Sequence, residues 1–481
     1  MNRTTAYLGT AAALLLVAVI VGLPRLTQSP TPPSPPAPAP VPAPAPPAPK
    51  PPEPVGHPGS LSLTGRLSHP YVVPGTSDVF ATLEVTAVEV PGSARAPVNL
   101  ALVIDRSGSM SGAKIEQARR AALRLVDLLN EHDRLAIVHY GSDVRALGGL
   151  FATEDNKARM RRYIHSIQDE GGTNIGEGLW AGKNHLAGAM SDFKVNRLLL
   201  LSDGQPTVGI TSAAGLANTV AKIRAAGVSV TSLGVGADFN EDLMQRLADV
   251  GGGSYGFISD ASAMAALFER DLKQAGTMVA RGVTLSFALP EGVAFRDVFG
   301  RPTSQSGRTV SVSLPDFSAG QVEKLVVRLS ATPAVTSGSV DIASFKLDYT
   351  DLLTDSAADA RLALAAMVTQ DSTLAQAKRD KGAVVEATRA RAAVNYKKAA
   401  DAISAGDFDG ARRTLEENNA YFFEAEQVAG QGALADERQN NEAAYGLSTA
   451  APTASPAARS EAVKEMKVQS LKSGGRGDSV Y

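Results

Sequence analysis

Cysteine is absent from the 481-residue chain, which excludes disulfide frameworks, thiolate zinc sites, cysteine nucleophiles and a lipidated amino-terminal cysteine. Histidine is scarce. The six histidines (His57, His69, His132, His139, His165 and His185) are singletons with no HExxH-type pairing, so no histidine-based metal or catalytic centre is expected. Charge of one dominant sign is also missing: 47 basic residues stand against 49 acidic ones, for a formal net charge of −2. That balance argues against nucleic acid as a partner and against electrostatic steering as a theme.

What is present is length and apolar content. A chain of 481 residues is expected to form two to four units, and 44% hydrophobic residues supply real cores. From Thr4 to Pro24 no residue is charged, and "LGTAAALLLVAVIVGL" is long enough as a helix to cross one hydrocarbon core of roughly 30 Å. Residues 1–28 therefore read as a signal anchor or transmembrane helix. The domains would then be exported to the periplasm or cell surface, or secreted if the signal is cleaved. Residues 29–58 hold the tract "SPTPPSPPAPAPVPAPAPPAPKPPEP", which forms neither helix nor ladder and reads as a stiff polyproline stalk. This stalk and the alanine-rich style of the chain suggest a bacterial protein.

Residues 59–96 carry strand alternation, with Val79, Ala81, Leu83, Val85 and Ala87 spaced by two. The same rhythm returns over 278–351, in "GVTLSFAL", "TVSVSL", "EKLVVRL" and "FKLDY". One β-sandwich with a large insertion explains both halves without leaving either with half a core. The insertion, 97–277, alternates apolar strands ("VNLALVI", "RLAIVHY", "RLLLLS", "VSVTSLGVG", "GSYGFIS") with amphipathic helices. In one of these Ile115, Ala118, Ala122, Val126 and Leu129 mark a single face, and another ends at Gly227. The expected fold class is therefore α/β: a doubly wound, mostly parallel sheet inserted in or flanked by a β-sandwich. Residues 352–430 are expected to be a helical segment, with helices near 356–369, 379–404 and 408–428. The polar stretch 431–481 is expected to be mostly disordered.

Three stretches of the insertion leave strands carrying oxygen donors. "VIDRSGSM" offers Asp105, Ser107 and Ser109, "DEGGTNIGEGL" offers Thr173, and "LLLLSDGQPT" offers Asp203. In a doubly wound sheet all three leave the same rim, where ligands bind. Two carboxylates and three hydroxyls are hard donors, suited to Mg²⁺ and alternatively to Mn²⁺ or Ca²⁺. An ion held largely by neutral hydroxyls, with a position left open, attracts a carboxylate from outside. Arg106 and Gly108 read as spacers that let the alternating donors point together.

This ordered set resembles the von Willebrand factor type A family, whose metal-ion-dependent adhesion site has a D-x-S-x-S stretch, a distant Thr and a distant Asp. The similarity continues through "SLGVGADFNEDLMQRLADVGGGSYGFI" and covers about residues 97–276. It implies a metal site at Asp105, Ser107, Ser109, Thr173 and Asp203, and a protein partner presenting Asp or Glu. No catalytic role is expected. "GEGLWAGKN" has the wrong spacing for a phosphate loop, "GVGADF" lacks the third glycine of a dinucleotide fingerprint, and "GSMSG" has Met110 where a nucleophile serine would sit. The alternative is an assembly or chaperone factor working with an AAA ATPase. The tetrapeptide Arg476–Ser479, an RGDS sequence, reads as a chance occurrence.

Overall fold

The structure, a computed structural model, describes residues 55–57, 59–90, 95–236, 239–258 and 261–475. The apolar run of 1–28, the stalk up to Pro54 and the RGDS tetrapeptide lie outside these residues. Among the described residues no helix is long and apolar enough to cross a membrane.

The chain opens with β1 (Val55–His57), β2 (Leu61–Leu67), β3 (Tyr71–Val72) and β4 (Ser77–Ala87). The inserted domain follows, with strands β5 (Val98–Asp105), β6 (Arg134–Tyr140), β7 (Val144–Phe151), β8 (Val195–Ser202), β9 (Ser229–Val235) and β10 (Gly252–Ile258). Its helices are α1 (Ala113–Leu128), α2 (Glu154–His165), α3 (Ile175–Ala187), α4 (Ala213–Ala225), α5 (Glu241–Gly251) and α6 (Ala261–Gly276). Strands resume with β11 (Met278–Ala288), β12 (Val293–Val298), β13 (Thr303–Ser306), β14 (Thr309–Ser313) and β15 (Phe317–Ser318). They end with β16 (Val322–Ala331), β17 (Gly338–Asp351) and β18 (Ser356–Val368). Helices α7 (Ser372–Ala377), α8 (Lys381–Ser404), α9 (Phe408–Ala429), α10 (Ala435–Ala450) and α11 (Pro456–Ser473) close the chain.

The two strand segments make one sandwich. A sheet ordered β12-β16-β4-β2 faces a larger one ordered β1-β18-β17-β11-β14-β13, with β15 and β3 attached. β16 pairs with β4 from Val322↔Thr86 to Ala331↔Ser77, so strands from before and after the insertion share one ladder. They also share one core, in which Leu63, Val79 and Leu83 pack with Leu285, Phe287, Val327 and Phe345. Where the insertion leaves and rejoins the sandwich, the amide of Ala96 donates to the carbonyl of Gly276 at 2.8 Å.

The inserted sheet has the order β10-β9-β8-β5-β6-β7. Every pairing is parallel except that of the edge strand β7 with β6. β5, β6, β8 and β9 are buried almost throughout, as strands covered by helices on both faces must be. Ile115, Ala118, Ala122 and Val126 of α1 and Leu129 just after it are all buried, and Gly227 after α4 has φ of +85°, the left-handed turn of a helix terminus. Strand order reverses at β5, whose neighbours are β6 and β8, so the switch point lies at the ends of β5 and β8.

Three expectations are corrected. Residues 356–368 are the strand β18, not a helix: alanine content suggested helix, but the segment pairs with β17, and Ala360, Leu362, Leu364, Ala366 and Val368 are buried at a period of two in the sandwich core. Val55–His57, grouped with the stalk, pair with β18 as β1. Most of 431–481 is ordered as α10 and α11. Its few apolar residues, among them Leu434, Ala444, Ala451 and Met466, recur at spacings that bury them against α8 and α9, and Ser455 caps α11 ahead of Pro456. The bundle leans on both other parts: α8 packs Ala387 and Ala390 against Phe80, Phe299 and Val326 of the sandwich, while Leu471 of α11 joins the core of the inserted domain.

Candidate metal centre

β5 ends at Asp105 and β8 at Ser202, with Asp203 the next residue, so both carboxylates stand where adjacent parallel strands leave the sheet. Both are fully buried. The backbone beyond Asp105 turns through a short 3-10 segment, Gly108–Met110, before α1 begins. Within that turn the Ser107 amide donates to Asp105 Oδ1 at 2.9 Å, and the hydroxyls of Ser107 and Ser109 lie 3.1 Å apart. Ser107 is buried and Ser109 exposed, so the cluster runs from the interior to the surface.

Thr173 comes from the loop ahead of α3 and is buried. Its loop is tied to the first by backbone hydrogen bonds, from Gly108 N to Gly171 O at 3.0 Å and from Glu170 N to Arg106 O at 2.7 Å. The Thr173 amide donates to Thr207 Oγ1 at 2.8 Å, and its carbonyl accepts from the amides of Thr207 and Val208, at 3.0 and 3.2 Å. The Thr173 loop is thereby bound to the segment following Asp203 as well. Asp105, Ser107 and Ser109 are joined through side chains, whereas Thr173 is linked to them through the backbone of its loop.

The electrostatics of the rim are those of crowded, desolvated carboxylates. Burial pushes the Asp105 carboxyl up to about 6, and Asp203 adds to the rise against the hydrogen bonds from Ser107 and Ser202. Asp105 Oδ2 accepts from Ser202 Oγ at 2.6 Å and from the Tyr140 hydroxyl at 3.2 Å, which fix its orientation. On Asp203, Oδ2 lies 3.3 Å from Lys114 Nζ. Its other oxygen, Oδ1, is buried and has no hydrogen-bond partner among the described residues. A buried carboxylate oxygen without a donor is costly unless a cation or water meets it. Among the described residues no group of three or more His, Cys, Asp and Glu side chains clusters as metal ligands, so a cation here would depend on two carboxylates supplemented by hydroxyls. That donor set suits a hard ion.

Several residues of the rim escape a linear reading. Arg106 is no spacer: its side chain is almost fully buried, and its guanidinium pairs with Asp143 and, at 2.7 Å, with Glu170. It ties the Asp105 turn to the turn after β6 and to the loop that carries Thr173. Tyr140 and Ser202 could have been suspected only from being the last residues of neighbouring strands. Lys114 carried a faint signal, because a lysine as the second residue of a helix opposes the helix dipole and needs an anion close by.

Strand order, switch-point rim and a carboxylate-hydroxyl cluster define a doubly wound α/β domain carried on a β-sandwich. The inserted domain is a von Willebrand factor type A domain: the family's model matches residues 99–270. YfbK of Escherichia coli (strain K12) is 35% identical over 198 residues, which are 40% of this chain and 33% of that protein. Human inter-alpha-trypsin inhibitor heavy chain H2 is 34% identical over 161 residues, 32% of this chain and 17% of that protein. The chain thus spans a third or less of the length of these relatives. Among solved structures, a von Willebrand factor type A protein from Catenulispora acidiphila has a TM-score of 0.64 at 18% identity, covering 86% of this chain and 97% of that one. The ArnB paralog VWA2 from Sulfolobus acidocaldarius has a TM-score of 0.53 at 18% identity, covering 85% and 99%. Both likenesses concern the fold, and they extend well beyond residues 99–270.

Proposed function

We propose that this protein is a divalent-cation-dependent protein-binding module, an adhesion or scaffold protein rather than an enzyme. Asp105, Ser107, Ser109, Thr173 and Asp203 would hold Mg²⁺, with Mn²⁺ or Ca²⁺ as alternatives, and the bound ion would supply an open coordination position for an Asp or Glu of a protein partner. The observation that carries this reading is the buried Oδ1 of Asp203, without a hydrogen-bond partner among the described residues, beside the hydroxyl cluster of the Asp105 turn. Val208 and Ile210, on the loop hydrogen-bonded to Thr173, are exposed aliphatic residues, and they give the rim apolar surface of the kind protein partners cover. The apolar run of residues 1–28 supports an exported, membrane-anchored location.

The test is cation binding with and without the carboxylates. Mg²⁺ at a hundred times its dissociation constant is expected to raise the unfolding free energy by about 2.7 kcal/mol, an increment removed by EDTA and absent in Asp105→Ala. Partner capture from native envelope is expected to show the same two sensitivities. A wild-type protein whose melting temperature ignores Mg²⁺, Mn²⁺ and Ca²⁺ alike refutes the reading. For location, a topology reporter fused after Tyr481 is expected to read out on the exported side.

A further inference from the structure

We propose that the cleft between the carboxyl-terminal end of α4 and the outer face of the larger sandwich sheet binds a carbohydrate that carries a carboxylate, with Arg281 taking the acid. The site does not depend on the cation reading above. It opens where β9 begins, at Ser229, whereas Asp105 and Asp203 stand where strands of the same parallel sheet end.

The sheet side of the cleft follows from strand alternation. On β11 and β14 the side chains of Val283, Leu285, Val310 and Val312 enter the sandwich core, so Thr284 and Ser311 project outward. Register adds their neighbours to that face: Ser304 of β13 lies opposite Ser311, and Thr350 of β17 lies opposite Arg281. The facing wall is the end of α4, from Ala225 to Gly227, where the last carbonyls of a helix have no donor within it. Arg224 ties the two walls together. Its guanidinium donates to the Ser313 hydroxyl, to the Leu314 carbonyl at 2.5 Å and to the Val283 carbonyl at 3.4 Å. The cleft measures about 900 Å³, within the range of roughly 300–1,000 Å³ found for small-ligand sites, which favour such domain boundaries.

Its polar lining is unengaged. The hydroxyls of Thr284, Ser304, Ser311 and Thr350 make no hydrogen bond among the described residues, and Arg281 makes neither a hydrogen bond nor an ion pair there. Asp316, which also lines the cleft, is held by the Gly282 amide at 2.9 Å and lies 3.9 Å from Arg224. Hydroxyls donate and accept, terminal helix carbonyls accept, and a guanidinium presents a fork of donors that matches a carboxylate. A uronic acid within a sugar chain supplies the complement of all three. The exposed apolar side chains of the cleft are only alanines and Pro302, which leaves a protein partner no large anchor. A single unpaired guanidinium is likewise too little charge to track a nucleic-acid backbone.

Calorimetric titration of the intact chain in EDTA, which keeps divalent cations from the Asp105 rim, tests the site with three probes. Trigalacturonate carries hydroxyls and carboxylates, galactotriose only hydroxyls, and tricarballylate only carboxylates. Trigalacturonate is expected to bind about tenfold tighter than galactotriose, and tricarballylate to bind at least tenfold more weakly than trigalacturonate. Arg281→Gln is expected to bring trigalacturonate within about twofold of galactotriose, while Thr284→Val weakens both sugars about threefold. If Arg281→Gln fails to fold, Ser304→Ala on the exposed edge strand serves beside Thr284→Val, with the same threefold loss expected. A wild type that ignores trigalacturonate overturns the proposal. So does one that binds tricarballylate equally well, which is an anion site only, or galactotriose equally well, which leaves Arg281 without a role. Affinities unchanged in Arg281→Gln, Thr284→Val and Ser304→Ala put the sugar elsewhere and overturn it too.

Discussion

Asp105 is a residue whose charge the fold pays to keep. Its carboxylate is fully buried and shares its neighbourhood with that of Asp203. Asp105→Asn is therefore expected to raise the unfolding free energy of the cation-free protein by about 1–2 kcal/mol at pH 7.5, while abolishing the increment from Mg²⁺. Urea titrations with and without Mg²⁺ check both signs at once, and a variant destabilised equally in both conditions contradicts the prediction. Arg106 works the other way. Arg106→Leu unties three loops and is expected to cost about 1–3 kcal/mol, with little further effect on the exposed Asp143 and Glu170. A pH effect follows from His139, buried against the Tyr163 ring, with burial first and then Arg106 and Arg145 holding it down to about 4. Because its ordinary value is 6.5, the unfolded chain takes up the proton first. The contribution of His139 to stability is full above pH 6.5 and is lost as pH drops toward 4. His139→Phe is expected to flatten that part of the pH profile, measured as urea midpoints from pH 7 to 4.5; an unchanged slope assigns the acid sensitivity elsewhere. At this scale the places of Asp105 and Asp203 were legible because each closes or follows an apolar strand, whereas Thr173, expected at a strand exit, lies in the loop between α2 and α3. Lys114, Tyr140 and Ser202 were not legible, because their roles depend on which strand lies beside which.

Elements were legible where apolar spacing was unambiguous and misread where alanine dominated. The strands of the inserted sheet carry continuous Val, Leu and Ile runs that only a doubly covered sheet accommodates. β18 has alanine at positions facing both ways, so its period of two is carried mainly by Leu362, Leu364 and Val368. β7 was missed altogether, since its "VRALGGLF" has no buried face and its glycines admit the Arg134 guanidinium at Gly149. The helices α8, α9 and α10 are joined in their interior by a relay of amides. Asn395 donates to Asn418 at 2.8 Å and Asn418 donates to Asn441 at 2.9 Å, with all three side chains buried. Asn441 in turn donates to the Leu415 carbonyl at 3.1 Å. A chain of this kind fixes the axial register of helices whose small apolar residues would otherwise slide. Asn418→Ala breaks it in the middle and is expected to cost about 2–4 kcal/mol, because two buried amides lose a partner at once. Replacing all three asparagines with leucine is expected to recover much of that loss in urea titration while broadening the amide NMR spectrum.

The described residues form a sandwich, an inserted domain and a helical bundle that each complete the others. The sandwich core needs strands from both sides of the insertion, and α11 lends Leu471 to the inserted domain's core. Lys467 on the same helix reaches Glu241 at 3.1 Å and Asp242 at 3.6 Å. Calorimetry is accordingly expected to show one cooperative transition, and Leu471→Ala to lower its midpoint at a cost of about 2 kcal/mol. Two well-separated transitions in the wild type contradict this interdependence. The hydrogen bond from Ala96 to Gly276 has a mechanical consequence. A pull applied at the Asp105 rim reaches the sandwich through two chain crossings that lie side by side, so they share the load in parallel. One crossing continues from β4, which is laddered to β16, and the other enters β11, which is laddered to β17 in the opposite sheet. A pull on the inserted domain is thereby divided between the two sheets of the sandwich.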